Sequence, residues 1–208
     1  MPKTGVKEQT ALLRANIDQI AAAFVADEPA AAATRRPCFV LLMGLPAPGK
    51  SHVAGLLAPR IDATVVATDT LRRRLFIAPS YSLDESSAVF ALAHELARRL
   101  LTAGRVVIFD ATNLRERDRA PLYAIARAAS VPLLILRVIA SEAAIRERLG
   151  VRAARVSASD ASEADWSVYQ MMRDRYEEPS REYVTLDTGT DLELEVARAE
   201  EAIRLACR

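Results

Sequence analysis

Residues 44–51 read Gly44-Leu45-Pro46-Ala47-Pro48-Gly49-Lys50-Ser51, GLPAPGKS, directly behind the apolar run Cys38-Phe39-Val40-Leu41-Leu42-Met43 and ahead of the stretch SHVAGLLA. They satisfy the phosphate-loop pattern G-x-x-x-x-G-K-[ST], and a strand before it and a helix after it give the pattern its physical meaning. Phosphates need donors that are already in place. A turn wrapped over a helix N-terminus points backbone N–H groups and the positive end of the dipole inward. The expected ATP-binding set is therefore Gly44, Leu45, Pro46, Ala47, Pro48, Gly49, Lys50, Ser51 and His52. The Lys50 ammonium would reach the β and γ phosphates, and the Ser51 hydroxyl suits the octahedral shell of Mg²⁺. Pro46 and Pro48 remove two backbone donors. His52, in the first helical turn, is expected on the adenine side or in packing. The bland alternative is a chance strand-turn-helix with a solvated lysine, and the number of fixed residues in the right setting counts against it.

Outward from the loop, short β-branched or Leu-rich runs alternate with long periodic stretches. CFVLLM, ATVVAT, RVVIFD, PLLILRVI and EYVTLD read as strands. Helical patterns cover 86 to 103, 115 to 129, a stretch from 141, and the chain after Gly189, with a charged segment running to about 178. Strand and helix alternation around the phosphate loop predicts an α/β fold: a parallel five-stranded sheet covered on both faces by helices, in three layers. Before it, Leu13, Ile17, Ile20 and Phe24 form an amphipathic stripe that predicts one helix over 10 to 25. That helix and an Ala-rich connector make up 1–36, with the phosphate-loop domain over 37–208. The helix would pack on the core or pair two subunits as a homodimer.

Length and composition set the bounds. A chain of 208 residues, 51% of them hydrophobic, suits one domain with a sizeable core. The 28 basic and 27 acidic residues almost cancel, so no global field draws the chain to nucleic acid or an anionic membrane. No run of apolar residues reaches spanning length, which predicts a soluble protein with no membrane partner. Cys38 and Cys207 make neither a disulfide framework nor a metal cluster, and a reducing cytoplasm is expected.

Other residues must say what is done with a bound nucleotide. After the second strand comes Thr68-Asp69-Thr70-Leu71-Arg72, a carboxylate at the ligand-binding edge of the sheet with an arginine three residues on. Asp69 could orient an acceptor hydroxyl and take its proton, while Arg72 could steady an anionic acceptor. The competing view makes Asp69 a helix cap and the arginines solvated. The third strand ends in Asp110, a candidate for the Mg²⁺ shell with Ser51, and continues to Thr112 and Asn113, which offer uncharged hydrogen bonds to substrate. A simple turn former is the rival reading of Asp110. Residues 145 to 155 carry Arg146, Arg148, Arg152 and Arg155 around Gly150. They read as a lid over about 146–162, with Arg148 and Arg152 on one face acting on ATP and the developing charge. A solvated charged helix is the alternative. His94 sits at helical spacing among apolar residues and is expected to be structural.

In this order and spacing, GLPAPGKS, TDTLRR, VVIFDATN and RERLGVR resemble the small bacterial phosphate-loop kinases of the AAA-type group. That group includes the 5′-hydroxyl polynucleotide kinase domain, with zeta toxin kinases and chloramphenicol phosphotransferase as more distant relatives. The resemblance covers residues 38 to 188. It implies an adenylate-kinase-like P-loop NTPase core with the loop strand central, Mg·ATP as phosphoryl donor, Asp69 as general base, Arg72 as acceptor-side arginine, and Arg148 and Arg152 as lid arginines. It also maps Asp110, Thr112 and Asn113 onto the Asp-x-Thr-Asn element, and Arg119 onto an arginine of the next helix. The implied acceptor is a hydroxyl: a polynucleotide 5′ end, or equally a nucleoside, sugar or antibiotic. A different class of function, an ATP-operated switch that engages a partner through the N-terminal helix, fits the same loop.

Overall fold

The computed structural model describes residues 5–27, 36–155 and 166–207, with the backbone alone for 152–155. Five strands form one sheet in the order β2-β3-β1-β4-β5: β1 (Phe39–Met43), β2 (Ala63–Ala67), β3 (Val106–Asp110), β4 (Leu133–Ile139) and β5 (Tyr183–Asp187). Every pairing is parallel. β1 lies in the middle and all five of its residues are buried, which is why the sequence there is continuously apolar rather than alternating. Phe39, Leu41 and Met43 join one core layer with Phe109, Ile135 and Leu122. Val40 and Leu42 join the other with Val53, Leu57, Leu186 and Val196. The result is a three-layer α/β fold of the P-loop NTPase type, as the alternation predicts.

The covering helices are α1 (Val6–Ala15), α2 (Ile17–Asp27), α3 (Lys50–Leu57), α4 (Thr68–Leu75), α5 (Leu83–Thr102), α6 (Glu116–Ala128), α7 (Glu142–Arg155), α8 (Trp166–Arg173) and α9 (Leu192–Ala206). The single helix expected over 10 to 25 is two. Asn16 leaves helical geometry at φ −124°, and its side-chain amide donates to the Leu12 carbonyl at 2.8 Å. Such local bonding is how asparagine competes with helix continuation. The stripe nevertheless does what its spacing predicts, because Leu13 is buried and Ile17, Ile20 and Phe24 pack on the core shared with α5. That packing is within one chain. Exposed ion pairs Arg99–Asp18 (2.9 Å) and Arg14–Asp84 (3.5 Å) add little beside it.

The cysteines correct the expectation made of them. Cys38 heads β1, Cys207 follows α9, and the two are joined as a disulfide with Cα atoms 5.7 Å apart across 169 residues of sequence. The cysteine count therefore gives no argument for a reducing compartment. Closing so long a loop restricts the unfolded chain, so reduction is expected to lower unfolding stability by about 2–4 kcal/mol. Urea midpoints with and without dithiothreitol check this, and identical midpoints would refute the bond. Among the described residues, no helix is long and apolar enough to cross a membrane.

His94 packs beside Phe90 and Phe109, and its Nε2 is buried without a hydrogen-bond partner. Burial lowers its pKa from the ordinary 6.5, so below that value the unfolded chain binds the proton more readily. Stability is then full above the ordinary value and falls as pH drops through it toward the depressed folded one. A His94→Leu variant, followed by thermal melts across mild acid, is expected to lack that loss.

Candidate active site

The loop between β1 and α3 is built by its own backbone. Gly44 has φ +146°, and a Cβ there would stand 2.3 Å from the Val138 carbonyl oxygen of neighbouring β4. Only glycine lets the strand end approach this closely. The Gly44 N–H donates to the Thr112 carbonyl at 3.1 Å, and Gly49, at φ +105°, caps α3. Leu45 and Ala47 turn away into a small apolar cluster with Ile145, Leu149, Tyr169 and Trp166, which joins the loop to α7 and α8. α8 lies in the stretch read from sequence only as charged. Trp166 stacks on Tyr169 at 4.7 Å, and the Arg146 guanidinium lies 3.8 Å from the Trp166 ring centroid.

Lys50 and Ser51 open α3. The Lys50 ammonium donates to the carbonyls of Gly44 (3.0 Å) and Leu45 (2.7 Å), so it spans the loop from within. The Ser51 hydroxyl donates to Asp110 Oδ2 at 2.6 Å. Asp110 is 5% exposed. Burial pushes its carboxyl up, the Ser51 hydrogen bond and the Lys50 charge pull it down, and the Asp69 charge pushes it up again. The strand ends explain this company. Ala67 of β2 stands in register with Asp110 of β3, so Asp69, exposed in the first turn of α4, lies just beyond the shared edge. A hydroxyl beside a carboxylate is a hard-oxygen pair that fits Mg²⁺, with phosphate and water oxygens completing its shell. Among the described residues no cluster of three His, Cys, Asp or Glu offers a metal an alternative. His52 is exposed beside Ser51.

Several expected ligands are given other tasks. Asn113, 1% exposed at φ 49°, donates through Nδ2 to the Leu42 carbonyl at 2.7 Å and so fastens the end of β1, while Thr112 serves the loop through its carbonyl. Arg119 is wholly buried: Nη1 donates to the carbonyls of Asn113 and Leu114, Nη2 to those of Glu177 and Glu178, and Glu116 pairs with it at 3.0 Å. This corrects the expectation of substrate contact, because the guanidinium is spent tying the loop after β3 to the segment before β5. Arg72, 4% exposed, forms an ion pair with fully buried Glu85, donates to Ser86 Oγ at 3.3 Å, and lies 4.5 Å from the centroid of the Tyr81 ring. Burial raises the Glu85 carboxyl, but hydrogen bonds from the Ser80 hydroxyl and amide, with Arg72, hold it below the ordinary range. Breaking such a buried pair costs about 3–5 kcal/mol.

Arg148 does reach the loop, from the side of its carbonyls. Nη1 donates to Pro48 O and Thr188 Oγ1, each at 2.9 Å, and Nη2 donates to Thr188 O at 3.2 Å. Thr188 itself donates to Pro48 O at 2.5 Å. Sequence reasoning missed Thr188, whose one signal is its place just past the last parallel strand. α7 runs unbroken through Gly150 to Arg155. The Arg152 side chain and residues 156–162 of the expected lid lie outside the described residues.

Residues 39–179 match a family model described as an AAA domain. No curated protein matches the chain. Among solved structures, Kti12 of Chaetomium thermophilum, in complex with ADP-AlF3, is similar at a TM-score of 0.66 and 24% identity, over 82% of this chain and 99% of that one. A gluconokinase from Sinorhizobium meliloti 1021 gives 0.60 at 24% over 83% and 95%. The Mycobacterium tuberculosis APS kinase CysC, with AMPPNP and APS, gives 0.61 at 18% over 82% and 99%. At these identities the likeness is one of fold, and none of the three is described as a polynucleotide kinase.

Proposed function

Because this chain belongs to the AAA domain family, we propose that it is an ATP-dependent phosphotransferase acting on the hydroxyl of a small molecule. The observation that carries the reading is the Ser51–Asp110 contact within the electrostatic reach of both Lys50 and Asp69. A nucleotide-binding lysine, a metal-compatible oxygen pair and an accessible carboxylate thus share one sheet edge. In the reaction the acceptor oxygen bonds the γ phosphorus, the bond from that phosphorus to the β–γ bridging oxygen breaks, and ADP leaves. The hydroxyl proton passes to the Asp69 carboxylate. Lys50 turns from its loop carbonyls toward the phosphates, and Arg148 holds the loop in shape through Pro48. Bound Mg²⁺, held by Ser51 and Asp110, would neutralise phosphate charge.

A small acceptor is preferred to a polynucleotide end for two reasons. The kinases among the similar folds named above include a gluconokinase and an APS kinase, and the near-zero net charge supplies no track for a phosphate backbone. The test is transfer of label from γ-labelled ATP to a panel of nucleosides, sugars, aminoglycosides and 5′-hydroxyl oligonucleotides. Trp166, the single tryptophan, packs against the loop's own cluster, so its fluorescence should report ATP binding separately. ATP binding with no transfer to any acceptor would favour the switch reading instead.

A further inference from the structure

We propose that the acceptor is uncharged where it meets α4, because Glu85 cancels the arginine placed to bind an anion there. This rests on the phosphotransferase reading and names the class of its acceptor. Arg72 stands one helical turn beyond Asp69, so a substrate whose hydroxyl lies at Asp69 would bring a neighbouring phosphate or carboxylate toward it. The guanidinium has little left to offer. One nitrogen serves Glu85, a second serves Ser86, Tyr81 lies across the ring plane, and Nε is buried with no partner and no exposed area.

Glu85 is equally committed. Its Oε2 accepts from the Ser80 amide and hydroxyl, each at 2.7 Å, and its Oε1 accepts from the Tyr81 amide at 3.3 Å as well as from Arg72. Tyr81 is held at φ 52°, an unfavourable region for a bulky residue that persists only where surroundings dictate it. Here those bonds to Glu85 bind the turn that seats the ring over Arg72. Of the other arginines on α4, Arg73 and Arg74 are exposed, Arg74 lying 5.5 Å from the Phe24 ring centroid, while beyond β3 Arg115 pairs with Asp118 at 3.3 Å and Arg119 with Glu116 at 3.0 Å. The loop after α4 exposes the Tyr81 side chain with Ser80 and Ser82, flanked by the more exposed Ile77 (92%) and Leu83 (90%), so it offers an aromatic face, hydroxyls and apolar surface suited to an uncharged polyol or nucleoside.

The test uses the full chain with Mg·ATP and two acceptor pairs differing by one anionic group: glucitol against gluconate, and adenosine against adenosine 3′-phosphate. Wild type is expected to favour the uncharged member by about tenfold or more in kcat/KM. Glu85→Gln, which leaves Arg72 unmatched, should move that ratio toward the charged member by about tenfold, as one charge-assisted hydrogen bond would. Wild-type preference for the charged member overturns the proposal, as does a folded, ATP-binding Glu85→Gln variant with an unmoved ratio. Should that variant not fold, Arg72→Gln/Glu85→Gln decides: a retained wild-type preference supports cancellation, and a loss confined to charged acceptors overturns it. Transfer to none of the four, and to none of the wider acceptor panel, with ATP bound, counts against the phosphotransferase reading rather than against the charge argument. Sulfate titrated into the MgADP-saturated protein then judges the charge alone: saturable binding by Glu85→Gln only supports it, and binding by both proteins or neither overturns it.

Discussion

Asp69→Asn is expected to lower phosphoryl transfer by about 10²–10⁴-fold, the range a positioned general base contributes, while ATP binding stays within a few-fold of wild type. The asparagine keeps the size of aspartate, and α4 starts from Ala67 with no side-chain cap hydrogen bond to lose, so α4 should survive. What it loses is the capacity to take the acceptor proton. It also removes the negative charge that pushes the Asp110 carboxyl upward, which favours ionised Asp110 and leaves the metal-binding pair at least as competent. A large fall in kcat with an unchanged Trp166 titration is therefore the signature of a base. An unaffected turnover would take Asp69 out of the chemistry, and a parallel loss of ATP binding would make it a nucleotide ligand instead.

Gly44→Ala should abolish measurable ATP binding and destabilise the fold by about 2–5 kcal/mol, combining a left-handed backbone penalty with an overpacking cost. The added methyl meets the Val138 carbonyl oxygen at 2.3 Å, a backbone atom of β4, which pairs with β1 on one side and β5 on the other. A flexible side chain could move aside; a strand paired on both edges cannot. The loop must shift, and with it the Gly44 amide bond to Thr112 and the two carbonyls that hold Lys50. Urea unfolding and Trp166 fluorescence read the two losses separately, and wild-type affinity in a folded variant would refute the account.

How much of this was legible in the sequence follows from how local each cause is. The loop and its flanking strand and helix are written in consecutive residues, and so is the alternation that dictates a parallel sheet. Ser51 and Asp110 were readable as partners because each ends or begins an element at the same sheet edge. The sequence offered Arg72 as a candidate acceptor-side residue but could not show its pairing, since the Glu85 carboxylate lies 13 residues away on a different helix. Arg119 has the same history: besides Glu116 its partners are the carbonyls of Asn113, Leu114, Glu177 and Glu178, which no side-chain pattern advertises. Thr188 is a lone hydroxyl past a strand. The cysteine bond joins the two ends of the sheet-and-helix core, a closeness created only when β1 and α9 come together.

The way α1 and α2 lie along α5 bears on where this protein can be cut. α5 carries buried apolar residues from Ala88 to Leu101, and part of that cover comes from Leu13, Ala21 and their neighbours. A truncated version starting near residue 37, which composition alone would recommend as the minimal enzyme, would strip a greasy face bare. Such a fragment is expected to aggregate or express poorly, and its inactivity would say nothing about the phosphate loop.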